Sequence, residues 1–504
     1  MSTIYTEGFD KYGPPGIYYP ALATLLTQGA WTTINGPAGA TNLVAGLSET
    51  GYALNFSGGA NLYKTLPTNY SRLIGGFRFA SNLLAANTGV VLQDGSTAQC
   101  SVIINYNSGY ISLNQSNAGT AIAISTVSVT AGTTHYLEFD ITIGSSGAYT
   151  IWLDGVQILS GTGNTKQSAN SYMNSFGLTN NGNIGSAASI TFDDIYLFNS
   201  SGSFCNAALN SNPRIETKFP SGDYQTQFTN SGNVLGINYA ATNSQYYSTA
   251  NGIYLRAYVP PVNCTINSIS FLPETSNGTA KFIPVIYANS GGVPGSLMSA
   301  GSVVMGPSSG TILTMPLTTP QALTAGVTYW IGFLSDTNYI YLAMQDTTSN
   351  KGYLGSTTFT SGAPGTAPTM TSGLASILLY GNCSGATTNW ESVASNPPGG
   401  IGSAIQSLTP GNEDLYTFPT LSTDIIYVYS VAVMGHAELS TAGTRTISLH
   451  TKSGTTDSSG SLGTVSLSNS FVWYASYFDT DPNTGAMWTT TNVNAAKYGP
   501  QLVS

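Results

Sequence analysis

Charge is what this chain has least of. Of its 504 residues, 7% are Asp, Glu, Lys or Arg, against about 25% in ordinary soluble domains. The 13 Lys and Arg residues stand singly in a chain of formal net charge −9. With no basic cluster to neutralise phosphates, nucleic acid is a poor partner, and an anionic membrane surface is disfavoured for the same reason. Cysteine is scarce as well. Cys100, Cys205, Cys264 and Cys383 lie far apart, without CxxC or Cys/His spacing, so no zinc motif is present. His135, His436 and His450 are widely separated, and each reads as a strand-face residue rather than a ligand. There is no long hydrophobic run. The most apolar stretch, residues 425–434, is too short to span a bilayer and alternates with Tyr and Ser as a buried strand would. The opening MSTIYTEGFDKYGPPG lacks a basic region followed by an apolar core, so no secretory signal is expected.

Low charge does not mean disorder here, because 41% of the residues are hydrophobic and that is enough to bury several cores. Gly, Ser, Thr and Asn replace the missing charge, and they suit turns and the solvent faces of strands. Periodic helix-forming runs are nearly absent, and turn signals recur about every ten residues. The composition predicts an all-β, multi-domain protein of antiparallel sandwiches. Its clearest local signal is 150–159, TIWLDGVQIL. Apolar arms flank Asp154-Gly155, a dipeptide suited to the two positive-φ positions of a type I′ hairpin.

Residues 1–200 follow a strand order, with alternating segments at 133–143 and 188–198, that resembles the laminin-G-like, concanavalin-type jelly roll. The resemblance is carried by His135–Phe139, by Trp152–Gly155 and by Phe192–Phe198, and it implies a fold more than a function. Some members of that group are glycosidases with Glu-x-Asp-x-x-Glu on one strand. Here Glu138 and Asp140 share a face, but Ile143 stands where the third acid belongs. Asp193 and Asp194 are expected on opposite faces, on a solvated polar face or at the edge of a calcium-binding loop. Calcium is the one cofactor these residues suggest.

Beyond residue 203 the texture changes. Asn212-Pro213-Arg214-Ile215-Glu216-Thr217, Gln227-Phe228-Thr229 and Trp390-Glu391-Ser392-Val393 resemble an ordered set of motifs in tailed-bacteriophage virion proteins. FVWYASYFD at 471–479, Asp481-Pro482-Asn483-Thr484-Gly485 and 493–499 continue the series. The Trp-x-x-Val element comes about 160 residues later than in that family, so a domain of 204–233 plus 387–504 is expected to be split by an inserted sandwich at 234–386. GGVPGSL at 291–297 and LTAGVTYW at 323–330 resemble a jelly-roll module of phage appendages and bacterial surface proteins. Pro294-Gly295 is expected to make its tight turn, with Tyr329 and Trp330 on its core. Cys264 and Cys383 fall near its first and last strands, either bridged or as buried free thiols.

Aromatic faces that stack on sugar rings, helped by Asn and Asp, are the expected means of binding. The candidates are Tyr246, Tyr247, Tyr254, Tyr339, Tyr341 and Asp346. No Ser/His/Asp, Cys/His or phosphate-cradle pattern is present, so no enzyme is expected. The resemblance implies a structural protein on the exterior of a phage virion, assembled in the host cytoplasm. It would be a tail-side fibre, tip or baseplate part, or else a capsid or head-fibre decoration. Its partners would be other virion proteins and host surface glycan, and a homo-oligomer, first of all a trimer, is expected. A polysaccharide-degrading enzyme with binding modules and a bacterial adhesin are the competing readings.

Overall fold

The computed structural model describes residues 3–13, 21–36, 40–48, 51–82, 88–105, 107–180, 189–230, 233–236, 242–247, 249–260, 263–273, 278–306, 312–324, 326–337, 341–346, 352–374, 376–377, 379–384, 389–394, 404–439 and 443–504. Of the residues between 229 and 247, 341 and 354, and 371 and 377, it describes the backbone alone. The protein is all-β, as its composition predicts, and is built of antiparallel sandwiches. Contacts divide it into two compact units, 1–227 with 407–504, and 228–406. The first 200 residues and the C-terminal hundred fall in the same unit.

The first unit begins with a jelly-roll sandwich. One sheet runs in the order Val156–Gly163, Gly147–Leu153, Thr134–Thr142, Arg72–Ser81, Ser189–Phe198, Tyr52–Ser57, Thr41–Ala45, with Thr3–Glu7 paired beside Ser189–Phe198. The other runs Ala121–Ser128, Tyr110–Gln115, Thr97–Ile104, Thr88–Asp94, Met173–Asn180, Asn61–Tyr70, Thr33–Asn35. Strand alternation sends Leu137, Phe139 and Ile141 inward to meet Cys100, Val102, Leu113 and Phe176. The 150–159 hairpin forms as expected, with φ of 50° at Asp154 and 78° at Gly155. Gly75 and Gly76 are needed for close approach. A Cβ at Gly75 would meet Phe139 Cζ at 2.5 Å, and one at Gly76 would meet the Tyr196 ring at 2.6 Å.

The C-terminal piece adds the sheet Gly222–Gln225, Leu415–Thr417, Lys497–Leu502, Thr446–Ser453, Thr456–Ser458 and the ribbon Val431–Ala437 with Val472–Phe478. Residues 425–434 do not form the long buried strand that their apolar character suggested. The strand itself starts at Val431, after an isolated bridge from Val428 to Trp488, while Ile426 and Tyr427 are 80% and 66% exposed. The segment before Val431 is held instead by polar ties, Arg214 to Asp424 at 2.7 Å and the Ser422 hydroxyl donating to Glu216 at 2.7 Å. These ties join the 212–217 motif to a stretch some 200 residues away in sequence.

The ribbon packs on the jelly roll's start. Trp473 N–H donates to the Gln28 carbonyl at 2.6 Å, His436 Nε2 lies 2.9 Å from Gln28 Oε1, and the Thr3 hydroxyl donates to Asp479. Tyr12 meets the Trp473 ring edge-on at 6.2 Å. Beneath this contact Glu7 and Lys11 are both buried.

Nearby, Asp10 accepts from Tyr52 N–H at 2.6 Å, and burial pushes its carboxyl up to about 6. A carboxyl raised in the fold stabilises most below its unfolded value near 4, and that stabilisation is lost as pH rises through about 6. Asp10→Asn is therefore expected to stabilise more at pH 8 than at pH 4.5, by about 1–2 kcal/mol. Urea titrations at the two pH values test this, and an equal effect at both would contradict it.

In the second unit, Val293–Ala300, Lys281–Ser290, Tyr329–Ser335, Gly252–Tyr258, Gly352–Ser356 and Thr371–Leu374 make one sheet. Asn233–Gly236, Leu379–Ser384, Cys264–Phe271 and Leu313–Leu323 make another. Asn233–Gly236 pairs with Leu379–Ser384, and the Asn389 side chain donates to the Phe228 carbonyl at 2.8 Å. Both ends of the segment therefore meet beside the Gln227-Phe228-Thr229 motif, and the late Trp390 helix, Asn389–Val393, returns to it. The turn is at Gly291-Gly292 (φ 63° and 90°), not at Pro294-Gly295, which lie in the following strand. Both turn positions need positive φ, which proline cannot adopt. Tyr329 and Trp330 are buried on opposite faces of their strand, in two separate apolar clusters. All four cysteines are buried, and Cys264 and Cys383, on neighbouring strands, are not bridged.

Candidate functional site

The carboxylates singled out in the jelly roll are committed to the fold. Glu138 and Asp140 do share a face, and each is engaged by other parts of the fold. The Glu138 side chain is fully buried and accepts from the Tyr196 hydroxyl and from Leu209 and Asn210 N–H at 2.8 and 3.2 Å. Burial raises its carboxyl above the ordinary value. Asp140 forms a two-point pair with Arg72, at 2.8 and 2.5 Å.

Asp193 and Asp194 are not at a solvated loop edge. A bulge between Asp193 and Tyr196, with φ of 48° at Asp194, tucks both carboxylates inside at 2% exposure. Asp193 accepts from Leu47 N–H and Asp194 N–H, each at 2.9 Å. Asp194 accepts from Ile215 N–H at 2.7 Å and from Arg78 at 2.8 Å. Burial first, and then their mutual repulsion, raises Asp193. With every oxygen holding a donor, and with Arg78 in place, this pair is not arranged for calcium.

The tyrosines of the second unit divide. Tyr254 is fully buried, stacked on Phe333 at 5.3 Å between ring centres, and offers no face to a sugar. Alternation gave it a face, and that face is the core. The strands Thr242–Tyr247 and Tyr341–Asp346 pair with Tyr247 opposite Tyr341 and Tyr246 opposite Leu342. The side chains of Tyr246, Tyr247, Tyr341 and Asp346, and the whole of Tyr339, lie outside the described residues.

The structure brings together a different set of residues in the first unit. A cleft of about 470 Å³ is lined by Gly202, Ser203, Phe204, Ser458, Phe478, Asp479, Thr480, Pro482 and Gly485. Its wall comes from two motifs noted in the sequence. The aromatic strand Val472–Phe478 ends at Phe478, and the Asp481–Gly485 turn follows directly. Asp481, fully buried, shapes that turn by accepting from Asn483 N–H, the Thr484 hydroxyl and the Asn492 amide at 3.0, 3.1 and 2.7 Å. Burial alone would raise the Asp481 carboxyl, but these donors and Ser453 hold it below its ordinary value. Trp488 Nε1–H donates to the Phe478 carbonyl at 2.9 Å and fixes the strand end.

Asp479, the one carboxylate in the lining, is 7% exposed and already accepts from Thr3 and, at 3.4 Å, from Ser430. The cleft therefore offers a half-buried Phe204 ring, hydroxyls from Ser203, Ser458 and Thr480, and no second acid. Such a lining can hold a polar ligand that has an apolar face. It lacks the pair of carboxylates that glycoside hydrolysis uses. Sequence spacing could not reveal it, because its parts lie some 280 residues apart. Glu413, His450 and Asp457, within 44 residues of one another but without a metal-ligand spacing, converge elsewhere in this unit.

These features define an all-β, multi-sandwich protein with a jelly-roll domain. No family model matches the chain, and no curated protein matches it. Among solved structures it is similar to an endo-β-1,4-glucuronan lyase from the fungus Trichoderma reesei, with 14% identity, 33% of this chain, 90% of that chain and a TM-score of 0.27. It is also similar to domain 4 of an extracellular arabinanase from Geobacillus stearothermophilus, solved with arabinotriose, with 16% identity, coverages of 39% and 91%, and a TM-score of 0.29. A third is a carbohydrate-binding module from Bacillus subtilis, with 12% identity, coverages of 34% and 97%, and a TM-score of 0.24. These are local likenesses of β-sandwich shape.

Proposed function

We propose that this chain is a structural component of the exterior of a tailed-phage virion, a tail-side fibre, tip or baseplate part that adheres to host surface glycan. The observation that carries the reading is the cleft. Two of the motifs by which the chain resembles phage virion proteins, 471–479 and 481–485, end in its wall, and its lining suits a sugar. Phe204 supplies a ring for a sugar's apolar face, the hydroxyl rim supplies hydrogen-bond partners, and Asp479 is too fully engaged to act as an acid or base. Adhesion without turnover is the chemistry such a lining supports. The Glu138 and Asp140 pair, which would serve the competing enzymatic reading, is occupied by structural partners.

Phe204→Ala is expected to weaken retention on host polysaccharide about tenfold, in line with about 1–1.5 kcal/mol for one ring contact, measured on folded protein because Phe204 also packs against the Tyr136, Tyr196 and Phe198 cluster and its loss lowers the melting temperature. Equal retention by Phe204→Ala and the parent would remove the cleft from the account. Gold-labelled antibody on purified particles tests the location. Label at the tail is expected, label over the head would favour a decoration protein, and unlabelled particles would end the virion reading.

A further inference from the structure

Glu413, His450 and Asp457 come from three neighbouring parts of one sheet. Glu413 bridges to Gln501 just before Leu415–Thr417, His450 lies on Thr446–Ser453, and Asp457 lies on Thr456–Ser458. Between them runs Lys497–Leu502, where Gly499 pairs with His450. A Cβ at Gly499 would fall 1.9 Å from the Asp414 carbonyl oxygen, so the strands can approach here only because this residue is glycine.

His450 Nδ1 lies 2.7 Å from Asp457 Oδ1 and 3.1 Å from Glu413 Oε1, and the three atoms are all within 4.8 Å of one another. One ring nitrogen carries at most one proton, so it cannot donate to both carboxylates. Glu413 is 6% exposed, and its Oε1 faces the cluster with His450 Nδ1 as its one close neighbour, a nitrogen shared with the nearer Asp457. Two carboxylates that share one ring nitrogen are incompletely satisfied, which is costly where one is buried, and a cation among the three would serve both. The rest of the shell is already set. Gln225 Nε2 donates to Glu413 Oε2 at 3.2 Å, and His450 Nε2 lies 2.8 Å from the buried Ser448 hydroxyl. With Nε2–H donating to Ser448, the Nδ1 lone pair would face inward, the arrangement metal-bound histidines commonly adopt.

We infer that Glu413, His450 and Asp457 bind one divalent transition-metal ion, zinc before others. Tetrahedral zinc with bonds of about 2.0–2.2 Å spaces its ligand atoms by about 3.3 Å, close to the 2.7 and 3.1 Å separations here. An imidazole with two carboxylates selects zinc-like ions over calcium or magnesium, which prefer all-oxygen shells. Three protein ligands leave a coordination position to water. Bound there, the ion would pin the Thr446–Ser453 and Thr456–Ser458 hairpin to the strand that follows Glu413.

The test is isothermal titration of the chelator-treated full chain with Zn²⁺, and separately with Ca²⁺, at pH 7.5. Metal content after desalting and melting temperature are read alongside. One zinc per chain is expected, with a melting temperature that rises on loading. His450→Gln and Asp457→Asn should each weaken zinc at least tenfold. Asp457 is 33% exposed, so its variant should fold even where His450→Gln does not. Absence of stoichiometric zinc in the parent, unchanged affinity in Asp457→Asn, or tighter calcium than zinc would overturn the assignment.

Discussion

Lys11→Met is expected to cost the fold about 3–5 kcal/mol, because it strands a buried charge. Glu7 is 1% exposed, and Lys11 lies over it with Nζ–O distances of 2.5 and 2.6 Å. The Tyr5 and Tyr12 hydroxyls donate to Glu7 Oε2 at 2.7 and 2.8 Å, and Phe9 N–H donates to Oε1 at 3.0 Å. Burial alone would raise the Glu7 carboxyl. The Lys11 charge and these donors outweigh it and hold the carboxyl below its ordinary value. A depressed carboxylate contributes stability that is present above its unfolded value near 4.3 and is lost as pH falls through the folded value. Acid unfolding of the parent should therefore draw on Glu7, whereas Lys11→Met should be weak already at pH 7. Glu7→Gln with Lys11→Met should recover more than half of the loss, since it removes both charges. Urea unfolding across the double-mutant cycle measures this, and a Lys11→Met loss under 1 kcal/mol would contradict it.

Gly332→Ala should be comparably severe in the second unit. Gly332 sits in Tyr329–Ser335 between Leu255 and Val285 of the two flanking strands. A Cβ there would fall 1.7 Å from the Tyr254 carbonyl oxygen and 2.8 Å from its carbon. Backbone cannot swing aside as a side-chain tip can, so the central strands must separate around Phe333 and Tyr254, which stack there. Overpacking of this kind costs about 1–3 kcal/mol, and more where backbone must move. The result should be loss of this unit's folding transition or a fall in melting temperature of at least about 5 °C. A thermal scan of the variant within one or two degrees of the parent would refute the close approach.

Local physics was legible in the sequence, and long-range physics was not. Asp154-Gly155 announces its own hairpin because the requirement for positive φ lies within two residues. Gly291-Gly292 obeys the same rule, and Pro294-Gly295 beside it carries a turn-like dipeptide without the two positive-φ positions. Period-two alternation put Glu138 and Asp140 on one face. It could not reveal that 209–210 would donate to the first and Arg72 would pair with the second. Tyr254 could not be told from a surface tyrosine, since alternation names a face and not what covers it. A bulge placed Asp193 and Asp194 together inside, and no pattern of residue types encodes it. The cleft joins residues 202–204 to 478–485, and the cluster joins Glu413 to His450 and Asp457. The cleft depends on the C-terminal segment folding back onto 1–227, and the cluster on strand pairing within the C-terminal segment itself.

The most direct measurement is to incubate the purified full chain with host surface polysaccharide and follow two signals together: protein retained on the glycan, and new reducing or unsaturated ends released from it. The account predicts saturable retention, weakened about tenfold in Phe204→Ala, with no chain ends released by the parent or by Asp140→Asn. Release of ends by the parent, or the absence of any retention, would contradict it.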